Sequence, residues 1–186
     1  MALTTLDPKT ALIVIDLQAG IVGLATARPA SEVIERAATL ATAFRRMNLP
    51  VVLVNVDGGA PGRTEQPRRG ERPAGWAELV PELHPQASDI LVTKRTWGAF
   101  MHTNLDATLR DLGVTQVVVV GIATSAGVES TARQAYELGY NVTLAVDAMT
   151  DMNADAHSNS VDRIFPRIGE TGTTAEIIAV LDALAS

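Results

Sequence analysis

The sequence predicts a three-layer α/β/α Rossmann-like fold with a mostly parallel sheet of about six strands. Two observations support this fold class. Short runs of Val, Ile and Leu alternate with helical patterns along the whole chain, and no linker is long enough to divide it. The chain has 186 residues, 47% of them apolar, which is enough for one substantial core. We therefore interpret residues 1–186 as a single domain in which right-handed crossovers place helices on both faces of the sheet.

The strands are predicted at continuous apolar runs, because strands buried on both faces of a parallel sheet do not alternate with polar residues. They are residues 11–15, 51–56, 90–93, 116–120 and 141–146, with a short sixth strand at 170–173.

The helices are predicted where apolar residues recur at helical spacing. They are residues 32–47, 105–112, 126–138, 154–165 and 175–184. Ser31 is the expected N-cap of the first helix, and Thr124 or Ser125 is the expected cap of the third.

Residues 57–75 are too rich in Gly, Pro and Arg for regular structure and form a predicted loop. Loops of this length in compact domains are usually functional or disordered, and this loop follows the carboxyl end of a strand, which favours function. Its arginines are bidentate donors suited to substrate carboxylates, although a solvated basic loop is an equally good interpretation. They are Arg63, Arg68, Arg69 and Arg72. Arg63 is our candidate contact.

Composition excludes several classes of function. The net charge of −6 argues against nucleic acid as a partner, because phosphate binding needs a basic face. No apolar run approaches the roughly 20 residues that span a bilayer, and the N-terminal residues lack a signal-peptide pattern, so we expect a cytoplasmic protein that does not enter a membrane. The chain has no cysteine, which excludes disulfides, thiolate zinc sites and thiol catalysis.

Polar residues follow several predicted strands at the point where each strand ends. They are Asp16, Asn55, Asp57, Lys94, the turn of residues 121–127, and Asp147. Ligands of parallel sheets bind beyond the carboxyl ends of the strands, so we expect these residues on one edge. Asp16 leaves an apolar run directly, where partial burial can tune its pKa, and Lys94 would keep it ionised or share its proton. Taken singly, each residue is also explained by a turn cap or a surface charge.

With these residues in place, the chain resembles the isochorismatase-like hydrolase superfamily, which includes nicotinamidases and N-carbamoylsarcosine amidohydrolase. The resemblance covers nearly the whole chain. Its motifs are LIVIDLQ with Asp16, KRTWGAF with Lys94 and Phe100, VVVVGIATSAGVESTAR with Gly127, and Val146-Asp147-Ala148. The family pattern implies an Asp, Lys and Cys triad, and Gly127 stands where the family has Cys. The resemblance also implies a homodimer or a higher homo-oligomer.

The resemblance further implies a cis peptide between Ile122 and Ala123, which would aim the N–H groups of Ala126 and Gly127 inward as an oxyanion hole. It therefore makes the residues of this turn candidate substrate contacts. Because Gly127 has no side chain, a thioester route is excluded.

The open mechanisms use other groups. In the isochorismatase branch, an acidic Asp protonates a vinyl ether and water attacks the resulting cation; Asp16 would be that acid, and Gly127 would leave room for a bulky ring. A second mechanism has Asp16 as a general base that activates water against an amide or ester, with Lys94 and the turn stabilising the oxyanion. A third interpretation is a binding protein without activity. Catalysis by Ser125 with a histidine base is less well supported, because Gly-x-Ser-x-Gly is absent.

The remaining candidate substrate contacts are weaker. Trp97 and Phe100 follow Lys94 and would wall a pocket, or simply pack in the core. Gln18 would orient Asp16, or only start the next loop. We expect no metal, because Asp57 is followed by glycines and the histidines lie in unrelated segments, and we expect no cofactor. The expected partner is a small-molecule substrate.

Overall fold

A computed structural model describes residues 3–24, 26–65 and 72–184. Within these residues the strands form one six-stranded sheet in the order β3-β2-β1-β4-β5-β6. All neighbouring strands pair in parallel, which confirms the predicted fold class. The strands are β1 (Thr10–Ile15), β2 (Val51–Val56), β3 (Ile90–Lys94), β4 (Gln116–Ile122), β5 (Asn141–Thr150) and β6 (Glu170–Gly172).

Helices cover both faces of the sheet and make the three layers. They are α1 (Ala19–Val22), α2 (Ala30–Arg46), α3 (Leu105–Asp111), α4 (Glu129–Glu137), α5 (Ala154–Asn159) and α6 (Thr174–Leu184). Phe44 of α2 and Leu181 of α6 are buried in the core on one face. Leu109 of α3 and Ala132 of α4 are buried in the core on the other face. Successive side chains of each fully buried strand point to opposite faces of the sheet and therefore pack into two separate cores.

Several predicted elements differ at their ends. The predicted fifth strand stops at residue 146, but β5 continues to Thr150, because a register shift between Val119 and Gly121 of β4 lets the two strands pair again beyond it. The predicted helix 126–138 starts with one π turn, Thr124–Val128, before α4. The predicted helix 154–165 is α5 followed by a second π turn and a 3-10 turn.

Other elements were not predicted or lack the predicted cap. The α1 helix and a 3-10 turn at Pro81–Leu83 fall in segments without a clear helical pattern. The cap of α2 is Pro29 rather than Ser31, and its side chain makes no capping bond. Pro29 fits this position because its fixed φ suits a helix start and it has no N–H to satisfy. The described residues of 57–75 form no helix or strand, as predicted.

Because the strands are parallel, the carboxyl ends of β1, β3 and β4 lie along the same edge of the sheet, where such sheets bind ligands. Gly121 of β4 has φ of +123°, and a Cβ there would lie 2.1 Å from the carbonyl oxygen of Ile15. Only glycine allows this close approach of β4 to the end of β1. Among the described residues, no helix is both long and apolar enough to cross a membrane.

Candidate active site

Asp16 is the first residue after β1, and its backbone is held in an unusual conformation. Its φ of 53° lies in the left-handed region, which few residues other than glycine adopt. Its N–H donates to the carbonyl oxygen of Val54 and its own carbonyl oxygen accepts from the N–H of Gln18, each at 2.9 Å. The residue is only 5% exposed. These contacts fix the direction in which the carboxyl group leaves the sheet.

Lys94 is the last residue of β3 and lies two strands away from β1. Its long side chain crosses the end of β2 and is 2% exposed. Its Nζ lies 2.8 Å from Oδ2 of Asp16 and donates a second bond to the carbonyl oxygen of Thr96 at 3.1 Å. The structure therefore brings together the acid and the cation that the sequence predicted at neighbouring positions on this edge.

The carboxyl group of Asp16 has an unusual protonation equilibrium. Burial raises its pKa from 3.8 to about 6, against the opposing effects of the Lys94 ammonium and, more weakly, of Arg72. Among the described residues, Oδ1 of Asp16 is buried and has no hydrogen-bond partner. A carboxyl group with a pKa near 6 and one free oxygen can give or take a proton at near-neutral pH.

Gly127 lies buried beside this carboxyl group. A Cβ on Gly127 would lie 3.1 Å from Oδ2 of Asp16 and 2.8 Å from Cγ2 of Ile15. The backbone of Gly127 therefore faces the acid directly. The expectation that a missing side chain leaves room for a bulky ring is wrong, because the Ile15 methyl and the carboxylate already fill that space.

The turn that carries Gly127 contains the cis peptide between Ile122 and Ala123 that the resemblance implied. The N–H of Ala126 donates to the carbonyl oxygen of Ala123 at 3.2 Å, and the N–H of Val128 donates to the same oxygen at 3.1 Å. Ala126 is thus not a free donor, which corrects its predicted place in an oxyanion hole. Ile122 and Ala123 are buried, as are Asp16 and Lys94, and their roles as substrate contacts stay predictions.

The polar residues of the same turn form hydrogen bonds with residues that follow β5. The N–H and Oγ of Ser125 donate to Oδ2 of Asp151 at 2.7 and 2.8 Å. Oγ1 of Thr124 lies 2.8 Å from Nδ1 of His157. The prediction that Thr124 or Ser125 caps this helix is wrong, since the N-cap of the π turn is Ala123 and that of α4 is Val128. Ser125 and His157 bond to different partners, so the Ser-His-Asp alternative is not assembled.

Two of three further predicted substrate contacts, Gln18 and Phe100, are buried in other contacts, whereas Trp97 is exposed. Gln18 is fully buried, and its amide bonds to the backbone of Val56 at the end of β2 and of Trp76 in a loop, so it ties that loop to the sheet rather than orienting Asp16. Phe100 is 7% exposed and packs on Tyr140 in the core, with ring centroids 5.9 Å apart. Trp97 is 69% exposed. Its carbonyl oxygen lies 3.5 Å from the position of a Cβ on Gly127.

Arg63 and Arg72 are both exposed, but the charge of Arg72 acts on Asp16, which makes Arg72 the better candidate contact. The guanidinium of Arg72 lies over the Trp76 ring at 4.0 Å, donates to the carbonyl oxygen of Gly58 at 2.6 Å, and lowers the pKa of Asp16. Trp76 in turn packs on the backbone of Gly20. Arg68 and Arg69 lie outside the described residues. Sequence reasoning missed Trp76, although an Arg and a Trp four residues apart in a loop can form a cation–π pair.

The other predicted residues of this edge have structural roles. Nδ2 of Asn55 donates to the carbonyl oxygen of Ala77 at 2.8 Å. Asp57 lies 3.6 Å from Arg72. Asp147 lies inside β5 rather than at its end, and its Oδ1 accepts from the N–H of Thr174 at the start of α6. In the part of the chain that the structure describes, no group of three His, Asp or Glu side chains could hold a metal ion.

Comparison with known proteins places this geometry in a family. A profile of the isochorismatase domain matches residues 10–176. The uncharacterized isochorismatase family protein YwoC of Bacillus subtilis is 44% identical over 178 residues, which cover 91% of this chain and 93% of YwoC.

Solved structures agree with this result. An isochorismatase family protein from Burkholderia thailandensis superposes with a TM-score of 0.92 at 40% identity, over 96% of this chain and 98% of that one. N-carbamoylsarcosine amidase from Thermoplasma acidophilum superposes with a TM-score of 0.75 at 26% identity, over 89% of this chain and 96% of that one. The chain therefore belongs to the isochorismatase family.

Proposed function

We propose that this protein hydrolyses a small molecule without a covalent intermediate, with Asp16 as the group that moves the proton. One observation carries the proposal. The buried carboxyl group of Asp16, with a pKa of about 6 and a free Oδ1, is held between the Lys94 ammonium and the backbone of Gly127. A protein that only binds ligands has no need to bury an acid and a base together at this edge.

The absence of a nucleophile at residue 127 selects the type of hydrolysis. By its resemblance to the family, Gly127 stands where cysteine members have the thiol, and the close approach of its backbone to Asp16 supports this correspondence. The chain contains no cysteine. A thioester cannot form, and in this proposal water attacks the substrate directly.

Vinyl-ether hydrolysis of an isochorismate-like compound fits these groups best. The protonated Asp16 gives its proton to the terminal carbon of the vinyl group, and the C=C electron pair forms the new C–H bond. Water adds to the resulting oxocarbenium carbon and loses a proton. The C–O bond of the hemiketal then breaks to give a ketone and an alcohol. Lys94 stabilises the carboxylate that forms on Asp16 as the proton leaves, so its attraction grows toward the transition state.

Arg72 supports an anionic substrate. The central carbon of its guanidinium lies 4.0 Å from the centre of the Trp76 ring, and its charge lowers the pKa of Asp16. An arginine held in this way is suited to bind a carboxylate group of the substrate. Vinyl ethers of the isochorismate type carry such carboxylates.

An amide or ester hydrolase is the second candidate, and the likeness to an N-carbamoylsarcosine amidase favours it. In this mechanism ionised Asp16 removes a proton from water while Lys94 stabilises the oxyanion. The mechanism lacks one of its expected donors, because the N–H of Ala126 bonds to Ala123. A catalytically inactive binding protein is the remaining alternative.

The test is a substrate screen by mass spectrometry with the wild-type protein and Asp16→Asn. Isochorismate is offered beside a panel of small amides and esters. We expect the wild type to release pyruvate from the vinyl ether and Asp16→Asn to do so at least about 1,000-fold more slowly, since it cannot supply the proton. Turnover of amides alone would favour the second candidate. Tight binding of one compound without turnover would favour the binding protein.

A further inference from the structure

Thr131 joins two parts of the candidate site through one buried hydroxyl. It lies on α4, four residues after Gly127, and is fully buried. Its Oγ1 donates to the carbonyl oxygen of Gly127 at 2.7 Å and accepts from the N–H of Ala99 at 3.1 Å. The first bond is the ordinary contact of a helical threonine with the carbonyl four residues earlier. The second bond connects α4 to the segment that follows β3.

That segment also holds the ammonium group of Lys94. Nζ of Lys94 donates to the carbonyl oxygen of Thr96 at 3.1 Å, and Oγ1 of Thr96 donates to the carbonyl oxygen of Gly98 at 2.9 Å. Ala99, the next residue, donates to Thr131. A short path of hydrogen bonds and backbone bonds therefore connects the ammonium group of Lys94 to the hydroxyl of Thr131.

A second residue of α4 anchors the same segment independently. Oε1 of Gln134 accepts from the N–H of Phe100 at 3.0 Å. The amide of Gln134 also lies against Gly98, where a Cβ would come within 2.3 Å of Oε1. Loss of the Thr131 hydroxyl should therefore loosen the segment without detaching it from α4.

We infer that Thr131 is a positioning residue that sets the separation between the Lys94–Asp16 pair and the backbone of Gly127. The inference rests on the proposed function, because it concerns the geometry of that same site. A displacement of about 1 Å in an active site can lower the rate about 100-fold. The effect should fall on kcat, since Thr131 is buried beneath the site and does not reach the substrate.

The variants separate the hydroxyl from the packing of the side chain. Thr131→Val keeps the shape and removes the hydroxyl, and we expect kcat to fall about 10- to 100-fold with KM within about threefold. Thr131→Ser keeps the hydroxyl and should stay within about threefold of wild type. Thr42→Val is the matched control, because Oγ1 of Thr42 makes the same contact with the residue four earlier, Ala38, on the exposed face of α2. It should leave kcat unchanged.

A titration gives a readout that does not need turnover. The pKa of Asp16 is followed by the carbon-13 shift of its carboxyl group. The charged groups that act on it are Lys94 from β3 and Arg72 from the loop before Trp76. In Thr131→Val we expect the pKa to rise, because Lys94 is held less closely while burial is unchanged.

The outcomes separate this inference from the proposed function. If the wild type hydrolyses nothing, the proposed function fails and the titration alone decides the role of Thr131. A Thr131→Val protein with the kcat and Asp16 pKa of wild type would overturn the inference. So would a Thr131→Ser protein as impaired as Thr131→Val, since packing would then be the cause.

Hydrogen exchange of the wild-type protein covers the case in which Thr131→Val does not fold. We expect the amide of Ala99 to be as protected as the amides of β4, because its acceptor is buried. Exchange of this amide at the rate of an exposed loop would overturn the inference without any variant.

Discussion

The buried acid should make the protein less stable as the pH rises, and Asp16→Asn should remove this dependence. The pKa of Asp16 is about 6 in the folded protein, above its model-peptide value of 3.8. A group whose pKa is raised on folding stabilises the folded state fully below pH 3.8, and this contribution is lost as the pH rises through 6. The difference of about 2 pKa units corresponds to about 3 kcal/mol in total.

The comparison of the two proteins at pH 4 and pH 7 isolates this contribution. At pH 4 the wild-type side chain is a neutral acid beside Lys94, much like the neutral amide of Asp16→Asn. At pH 7 it is a buried carboxylate, and the cost of its burial exceeds the attraction of Lys94. We expect the variant to gain about 2 kcal/mol relative to wild type between pH 4 and pH 7, although it breaks a buried ion pair.

The assay is urea unfolding followed by circular dichroism at several pH values between 4 and 7. Asp111→Asn, an exposed aspartate at the end of α3, controls for the loss of one negative charge. If the free energies of unfolding of wild type and Asp16→Asn run parallel over this range, then burial does not raise the pKa of Asp16. A relative loss of stability in Asp16→Asn at pH 7 would show that the ion pair outweighs burial.

The remaining predictions concern other parts of the site. Lys94→Met should raise the pKa of Asp16 above about 6, because burial is then less opposed, and a carbon-13 titration that finds a lower pKa would contradict this. Gly127→Ala should lower stability by about 1–3 kcal/mol through crowding, whereas Gly23→Ala, whose Cβ would come no nearer than 3.8 Å to another atom, should change thermal stability far less; equal effects would be unexpected. Ser125→Ala should retain most hydrolytic activity, and complete loss in a rate assay would restore serine catalysis as an explanation.

The strands could be predicted from the sequence because each one is marked by a run of apolar residues that are adjacent in the chain. Strand β2 occupies the predicted residues 51–56, and its first four residues are apolar and buried, as expected where a strand is covered on both faces. The extension of β5 to Thr150 could not be predicted in this way. The extension depends on a register shift in β4, and so on pairing between segments that are distant in the sequence. The polar residue Asp147 also interrupts the apolar run from which the strand was predicted.

The centre of the site was predictable for a similar reason, but its surroundings were not. The ends of parallel strands lie on one edge, so Asp16 and Lys94 were expected to be near each other. Phe100 and Trp97 lie in an irregular segment, where no periodicity tells which side chain faces the core. Arg72 is selected from the loop by its contact with Trp76, which depends on how the loop folds back on the end of β1.

The dependence of kcat/KM on pH for a vinyl-ether substrate tests the role of Asp16 as a proton donor most directly, because kcat/KM reports the protonation of groups in the free protein. The protonated form of Asp16 is the active form in the proposed mechanism, so kcat/KM should be highest below pH 6 and fall about tenfold per pH unit above it. The decline should move with the pKa of Asp16 measured in the same protein without substrate. A kcat/KM that instead rises through pH 6 would mean that the carboxylate is the active form, and would contradict the role of Asp16 as a proton donor.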